Sequence, residues 1–127
     1  MKKKSLLLIA AICFNVTILM AQGNMQRLTP DERTKTVMEK MSSLNMDSTT
    51  KSKTEVIMLE FFTSQQKAME EMRSSGSIDR DAIMAKRKIF VETRNEKLKL
   101  IFTQDQFNKW INEIEPGLRP QRPSQQN

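Results

Sequence analysis

Between residues 28 and 115 the apolar positions recur at helical spacing, and no stretch shows the two-residue alternation of a half-buried strand. Thr29-Pro30-Asp31-Glu32 is a helix start, with Thr29 as cap, Pro30 at the first helical position and Glu32 closing a capping box. The short helix it opens carries Val37, Met38 and Met41 on one side and breaks at Ser42-Ser43-Leu44-Asn45. Asp47 caps a second helix that runs to about Arg73 without Pro or Gly. On it Ile57, Phe61, Ala68 and Met72 fall within about 60° of one another, and Met58, Phe62 and Met69 widen the stripe to about 140°. A face that wide touches two neighbours. Ser74-Ser75-Gly76-Ser77 is a turn, and a third helix follows from Ile78 or Asp79 to Ile101. Thr103-Gln104-Asp105-Gln106 is a second capping box, and Phe107, Trp110, Ile111 and Ile114 make the last amphipathic stripe, which Pro116-Gly117 should stop. The prediction is an all-α fold of four helices, two short and two long. The long pair, roughly 35–40 Å each, forms an antiparallel hairpin.

The ends read differently. Lys2–Lys4 precede an unbroken apolar run, Leu6 to Phe14, and Leu19-Met20-Ala21 resembles a cleavage site, which is the pattern of a secretory signal over residues 1–21. Ser5–Ala21 includes Asn15 and Thr17 and falls short of the ~20 apolar residues that a spanning helix needs. Leu19 occupies a position where a small residue is preferred, so a retained anchor stays an alternative, as does lipid attachment at Cys13. A polar lead (22–27), the helical domain (28–115) and a Pro/Gln/Arg/Ser-rich tail (116–127) expected to be disordered complete the division. The expected location is a periplasm.

Removal of the first segment changes the chemistry. Lys2, Lys3 and Lys4 leave, which lowers the formal charge of +6 by three, and the only cysteine, Cys13, leaves with them. No Cys, His or Tyr remains, which excludes disulfides, Cys/His zinc sites and triads or dyads built on His. Three glycines cannot build a phosphate loop. Carboxylates alternate with cations at helical spacing (Asp31/Lys35, Lys35/Glu39, Lys88/Glu92), as solvated faces do. The expectation is a protein with no cofactor that is not an enzyme.

The third helix is basic through Lys86-Arg87-Lys88, Arg94, Lys97 and Lys99. Export argues against nucleic acid as its partner. Helical geometry puts Arg87 and Arg94 on the same face as Ile83, Phe90 and Ile101. Either the two arginines snorkel, stems on apolar groups and heads in water, or that face is an exposed surface mixing apolar contact with positive charge. Of ten methionines, eight lie beyond Met20. They fill gaps in a core by default, but they also line surfaces that bind many partners. A core this small is marginal for a monomer. Either the chain pairs with a second copy or the hairpin leaves apolar surface exposed.

Two stretches are similar to the motif of the Spy/CpxP family of small periplasmic proteins, the LTxxQ-motif proteins. Leu44-Asn45-Met46-Asp47-Ser48-Thr49-Thr50-Lys51 resembles the segment that opens the family's long helix, and Ile101-Phe102-Thr103-Gln104-Asp105-Gln106-Phe107 resembles the copy before its last helix. Leu28-Thr29-Pro30-Asp31-Glu32 imitates the motif too. Asp47 stands where the family has its capping Thr, Thr50 replaces Gln, and Phe102 replaces Leu. The resemblance spans residues 28–115. It implies a thin, curved protomer that pairs into a cradle-shaped homodimer. It also implies ATP-independent chaperone activity toward unfolded envelope proteins, or a regulatory role in the envelope stress response, docking on the periplasmic domain of a membrane sensor. On the apolar and basic surface so implied, Met58, Phe62, Met69, Arg87, Phe90 and Arg94 are the candidate client contacts. Thr29, Glu32, Asp47, Thr103 and Gln106 are the helix-cap residues.

Overall fold

Four helical arms and no strand make up the described part of a computed structural model, residues 28–76 and 78–119. The expected signal, polar lead and last residues of the tail lie outside the described residues. α1 spans Pro30–Lys40 and passes through a 3₁₀ turn, Met41–Leu44; α2 is Ser48–Ser74 and α3 is Arg80–Ile101. The C-terminal arm begins with α4 (Gln104–Lys109), widens into a π-helical turn (Trp110–Ile114) and ends in α5 (Glu115–Leu118).

Each start is set locally. Thr29 Oγ1 accepts from the Glu32 N–H at 3.2 Å, while the Thr29 N–H donates to Glu32 Oε2 at 2.9 Å. Asp47 Oδ1 accepts from the Thr50 N–H at 2.7 Å, and the bonds from Thr50 hold its carboxyl below the usual range. With Thr50 in place of a longer amide, no bond returns to Asp47, and this cap is one-sided. Thr103 and Gln106 form the complete reciprocal box, at 3.2 and 3.0 Å. Asn45 turns the chain into α2 at φ +49°, a conformation that Asn tolerates better than most residues, and Gly76 turns α2 into α3 at φ +69°.

The two motif-like stretches meet in space. Gln106 Nε2 donates to the Leu44 carbonyl at 3.1 Å, and Lys109 Nζ donates to the Ser43 carbonyl at 3.2 Å. Carbonyls that the 3₁₀ turn leaves free are thus satisfied by the start of the last arm.

α2 and α3 form the antiparallel hairpin. α1 lies against α2, and the C-terminal arm packs back over α3. Trp110, Met41, Met58 and Leu98 are fully buried, with Val37, Leu44, Phe61, Phe62 and Phe102 around them. All of this core sits toward one end. No residue of α2 beyond Ala68 is buried, and none of α3 before Arg94. The molecule has two layers at one end and a bare helical pair at the tip.

One boundary differs from expectation. Pro116-Gly117 does not end the last helix, which runs on to Leu118, and Leu118 packs on the core. The π turn is the reason. Its wide bond runs from the Glu115 N–H to the Trp110 carbonyl and restarts the helix at Glu115. Pro116 then falls in the first turn of α5, where no N–H is required.

Gln106→Ala removes one capping bond and the bond to Leu44 together, and should cost about 1–2 kcal/mol. Urea unfolding followed by circular dichroism checks this, and an unchanged midpoint would show that the junction holds without Gln106.

Candidate functional site

Arg94 faces inward from the middle of α3, and only 6% of it is exposed. Its Nη2 donates to Glu115 Oε1 at 2.5 Å, and its Nε donates to Asn95 Oδ1 at 3.0 Å. The same Asn95 oxygen accepts from Trp110 Nε1 at 3.2 Å. The guanidinium lies 4.5 Å from the centre of the Phe61 ring and 5.0 Å from that of Trp110. One cation therefore joins α2 through Phe61, α3 through Asn95, and the C-terminal arm through Trp110 and Glu115. Burial lowers its pKa from the ordinary arginine value. Glu115 opposes that shift, while Arg119 and Arg87 add to it.

The π turn delivers Glu115 to this point. The extra residue rotates everything after it by roughly a quarter turn. That rotation moves Glu115 from the edge of the Phe107/Trp110/Ile114 stripe to its centre, where the residue is 7% exposed.

A second arginine repeats part of the pattern. Arg33 of α1 lies 4.3 Å from the centre of the Phe62 ring, and its Nη2 donates to Gln65 Oε1 at 3.2 Å. Phe61 and Phe62 touch edge to face, centroids 5.1 Å apart. Burial lowers the Arg33 pKa, and the nearby charge of Arg87 lowers it further.

The six residues expected to contact a client therefore divide. Met58 and Phe62 are core residues, and Arg94 is buried in an ion pair. None of the three has surface to offer, so their assignment as contacts is corrected. Arg94 neither snorkels nor lies on an open face, because Glu115 compensates its charge inside. Met69 and Phe90 are half-buried and Arg87 is exposed. Met69 and Arg87 lie toward the tip, on the continuation of the faces that α1 and the C-terminal arm cover elsewhere. On α2 those faces run Met58, Phe62, Gln65, Met69, Met72, and on α3 they run Leu98, Arg94, Arg87, Met84, Ile83. Met72 and Ile83 are half-buried and Met84 is 59% exposed. Met72, Ile83 and Met84 were missed as candidates, although each lies three or four residues from Met69 or Arg87 on the same helical faces.

Among the described residues, no element covers the opposite side of the hairpin. It carries Val56, Ile89 and Leu100 at 65%, 59% and 85% exposure, in two shallow grooves flanked by Lys53, Lys67, Lys86 and Lys97. Lys97 Nζ bonds both oxygens of Glu60 at 2.7 Å across this side. Phe90 sits at the seam between the two sides and lines one groove.

Fold and site define a small all-α protein in which a long hairpin is capped at one end and bare at the other. No match was found to any family model, curated protein sequence or solved structure.

Arg94→Met should destabilise the fold by about 3–5 kcal/mol, because Glu115 is left buried without its partner. Arg94→Met combined with Glu115→Leu should recover most of that loss. A double-mutant cycle in urea measures both effects, and additive single and double changes would show that the pair does not act as a unit.

Proposed function

We propose that this protein is an exported, ATP-independent holdase that binds unfolded envelope proteins on the uncovered tip of its hairpin. The observation that carries the reading is the continuation of the core-facing stripes past the end of the core. Met69, Met72, Ile83 and Met84 extend those stripes, with Arg87 among them, where no other described element lies over them. Methionine side chains repack around apolar groups of different shape. Apolar contact on a shallow surface is non-directional and weak enough to reverse without nucleotide. Arg87 adds long-range attraction for acidic segments and raises the encounter rate. The resemblance of the Leu44–Lys51 and Ile101–Phe107 stretches to the LTxxQ motif supports the same reading, as does the signal-like pattern of residues 1–21. In this reading the exposed Val56, Ile89 and Leu100 side pairs two copies.

The test is light scattering of a denatured model protein with Gln22–Asn127 titrated in and no ATP. Suppression near equimolar ratio is expected. Replacing Met69, Met72 and Met84 together by Ser should raise the concentration needed severalfold. The melting temperature should hardly move, because none of the three is a buried core residue. No suppression from folded protein would overturn the holdase reading and turn attention to a regulatory subunit that docks on a membrane sensor's periplasmic domain.

A further inference from the structure

The methionines of the described residues fall into two groups. Met41 and Met58 are fully buried, Met38 and Met46 pack on the core, and the Met46 sulfur accepts a bond from Thr54 Oγ1 at 3.4 Å. Met69, Met72 and Met84 lie outside that core, the first two half-buried and the third 59% exposed. The pairing of the hairpin brings these three together. Lys97 bonds Glu60, the Arg94 guanidinium lies over the Phe61 ring, and one groove joins Ala68 and Glu71 to Lys86 and Ile89. Equal rise along two antiparallel helices then sets Met72 level with Met84, with Met69 one turn back on the same face.

These positions are also where an oxidant finds most to attack. The described residues contain no Cys and no His, so thioethers are their only sulfur groups, and Trp110 is fully buried. Oxidation of methionine follows access to the sulfur. It would spare Met41 and Met58, whose conversion to a polar sulfoxide would break the core. It would reach the tip, where the same conversion costs the fold little.

We propose that Met69, Met72 and Met84 form a reversible sulfoxidation site, oxidised by peroxide, that switches the hairpin tip from apolar to polar while the capped end stays folded. In the step, a thioether lone pair attacks one oxygen of the peroxide. The S–O bond forms, the O–O bond breaks and, after proton transfer, water leaves. Sulfur is oxidised by two electrons and the peroxide is reduced by two. Each sulfoxide replaces a deformable apolar group with a polar one that disrupts methionine-rich contacts. That the tip is the client surface rests on the holdase reading; the selectivity of the oxidation does not.

The experiment is treatment of the folded chain with hydrogen peroxide, followed by tryptic mass mapping, circular dichroism and binding of an apolar dye. Digestion separates the groups: Met69 and Met72 fall in residues 68–73, Met84 in 81–86, Met58 in 54–67 and Met41 in 41–51. The tip peptides should gain oxygen about tenfold faster than Met41 and Met58, or more. With the tip oxidised, the melting temperature should hardly move and dye binding should fall severalfold. Methionine sulfoxide reductases for both epimers should restore it. Replacing all three by leucine (Met69→Leu, Met72→Leu, Met84→Leu) keeps the surface apolar and should make dye binding insensitive to peroxide. Oxidation of Met41 or Met58 as fast as the tip, unfolding that accompanies tip oxidation, or an equal loss of dye binding in the leucine variant would overturn the proposal. The aggregation assay, repeated with oxidised and repaired chain, separates the two readings. Failure of the unoxidised chain to suppress aggregation overturns the holdase alone, whereas suppression that tip oxidation leaves unchanged overturns the switch.

Discussion

A guanidinium inside a small helical protein is held only if its charge and its donors are answered there, and the rest of this structure is arranged around answering those of Arg94. Taking such a charge out of water costs several kcal/mol after relaxation. Glu115 supplies the opposite charge, Asn95 a further acceptor, and Phe61 and Trp110 supply ring faces. Apolar contacts alone would let the C-terminal arm slide along α3, since they have no direction. The ion pair and the Trp110–Asn95 bond are directional, and they fix its register. The π turn follows from the same demand, because a regular helix would leave Glu115 toward the edge of the arm's inner face.

Closing one end in this way leaves the other end open. The buried side chains lie within the reach of α1 and the C-terminal arm, and the hairpin runs on past both. Local stability should therefore fall from the Trp110 end toward Gly76, because opening the tip exposes little that is buried. A surface that must adapt to varied apolar partners is easier to build from the low-stability end. Phe62 and Gln65 hold Arg33 half-buried without a carboxylate, whereas Arg94 is held by Glu115.

The helices were legible in the sequence because their signals are local. Thr29, Asp47, Thr103 and Gln106 cap through neighbours three residues away, and Gly76 turns the chain by its own conformational freedom. The wide stripe on α2 correctly implied two neighbours, since α2 meets both α1 and α3. That same width should have marked Met58 and Phe62 as core, because residues that serve two neighbours are the first to be enclosed. Periodicity also put Arg94 on the apolar face. What it could not supply was the partner, 21 residues further on, at the last position before Pro116-Gly117.

A sequence signal for that partner did exist. An inward-facing arginine requires a carboxylate, and Glu115 follows the Phe107/Trp110/Ile111/Ile114 stripe directly, four residues after Ile111. Pairing the two needs the antiparallel return of the arm over α3, which only tertiary packing determines. Local chemistry thus specifies where each helix begins, while one long-range charge pair specifies how the last arm lies. The character of the exposed surface follows from both. Whatever the arm covers becomes core, and the Met69, Met72, Ile83 and Met84 stretch beyond its reach stays uncovered beside Arg87.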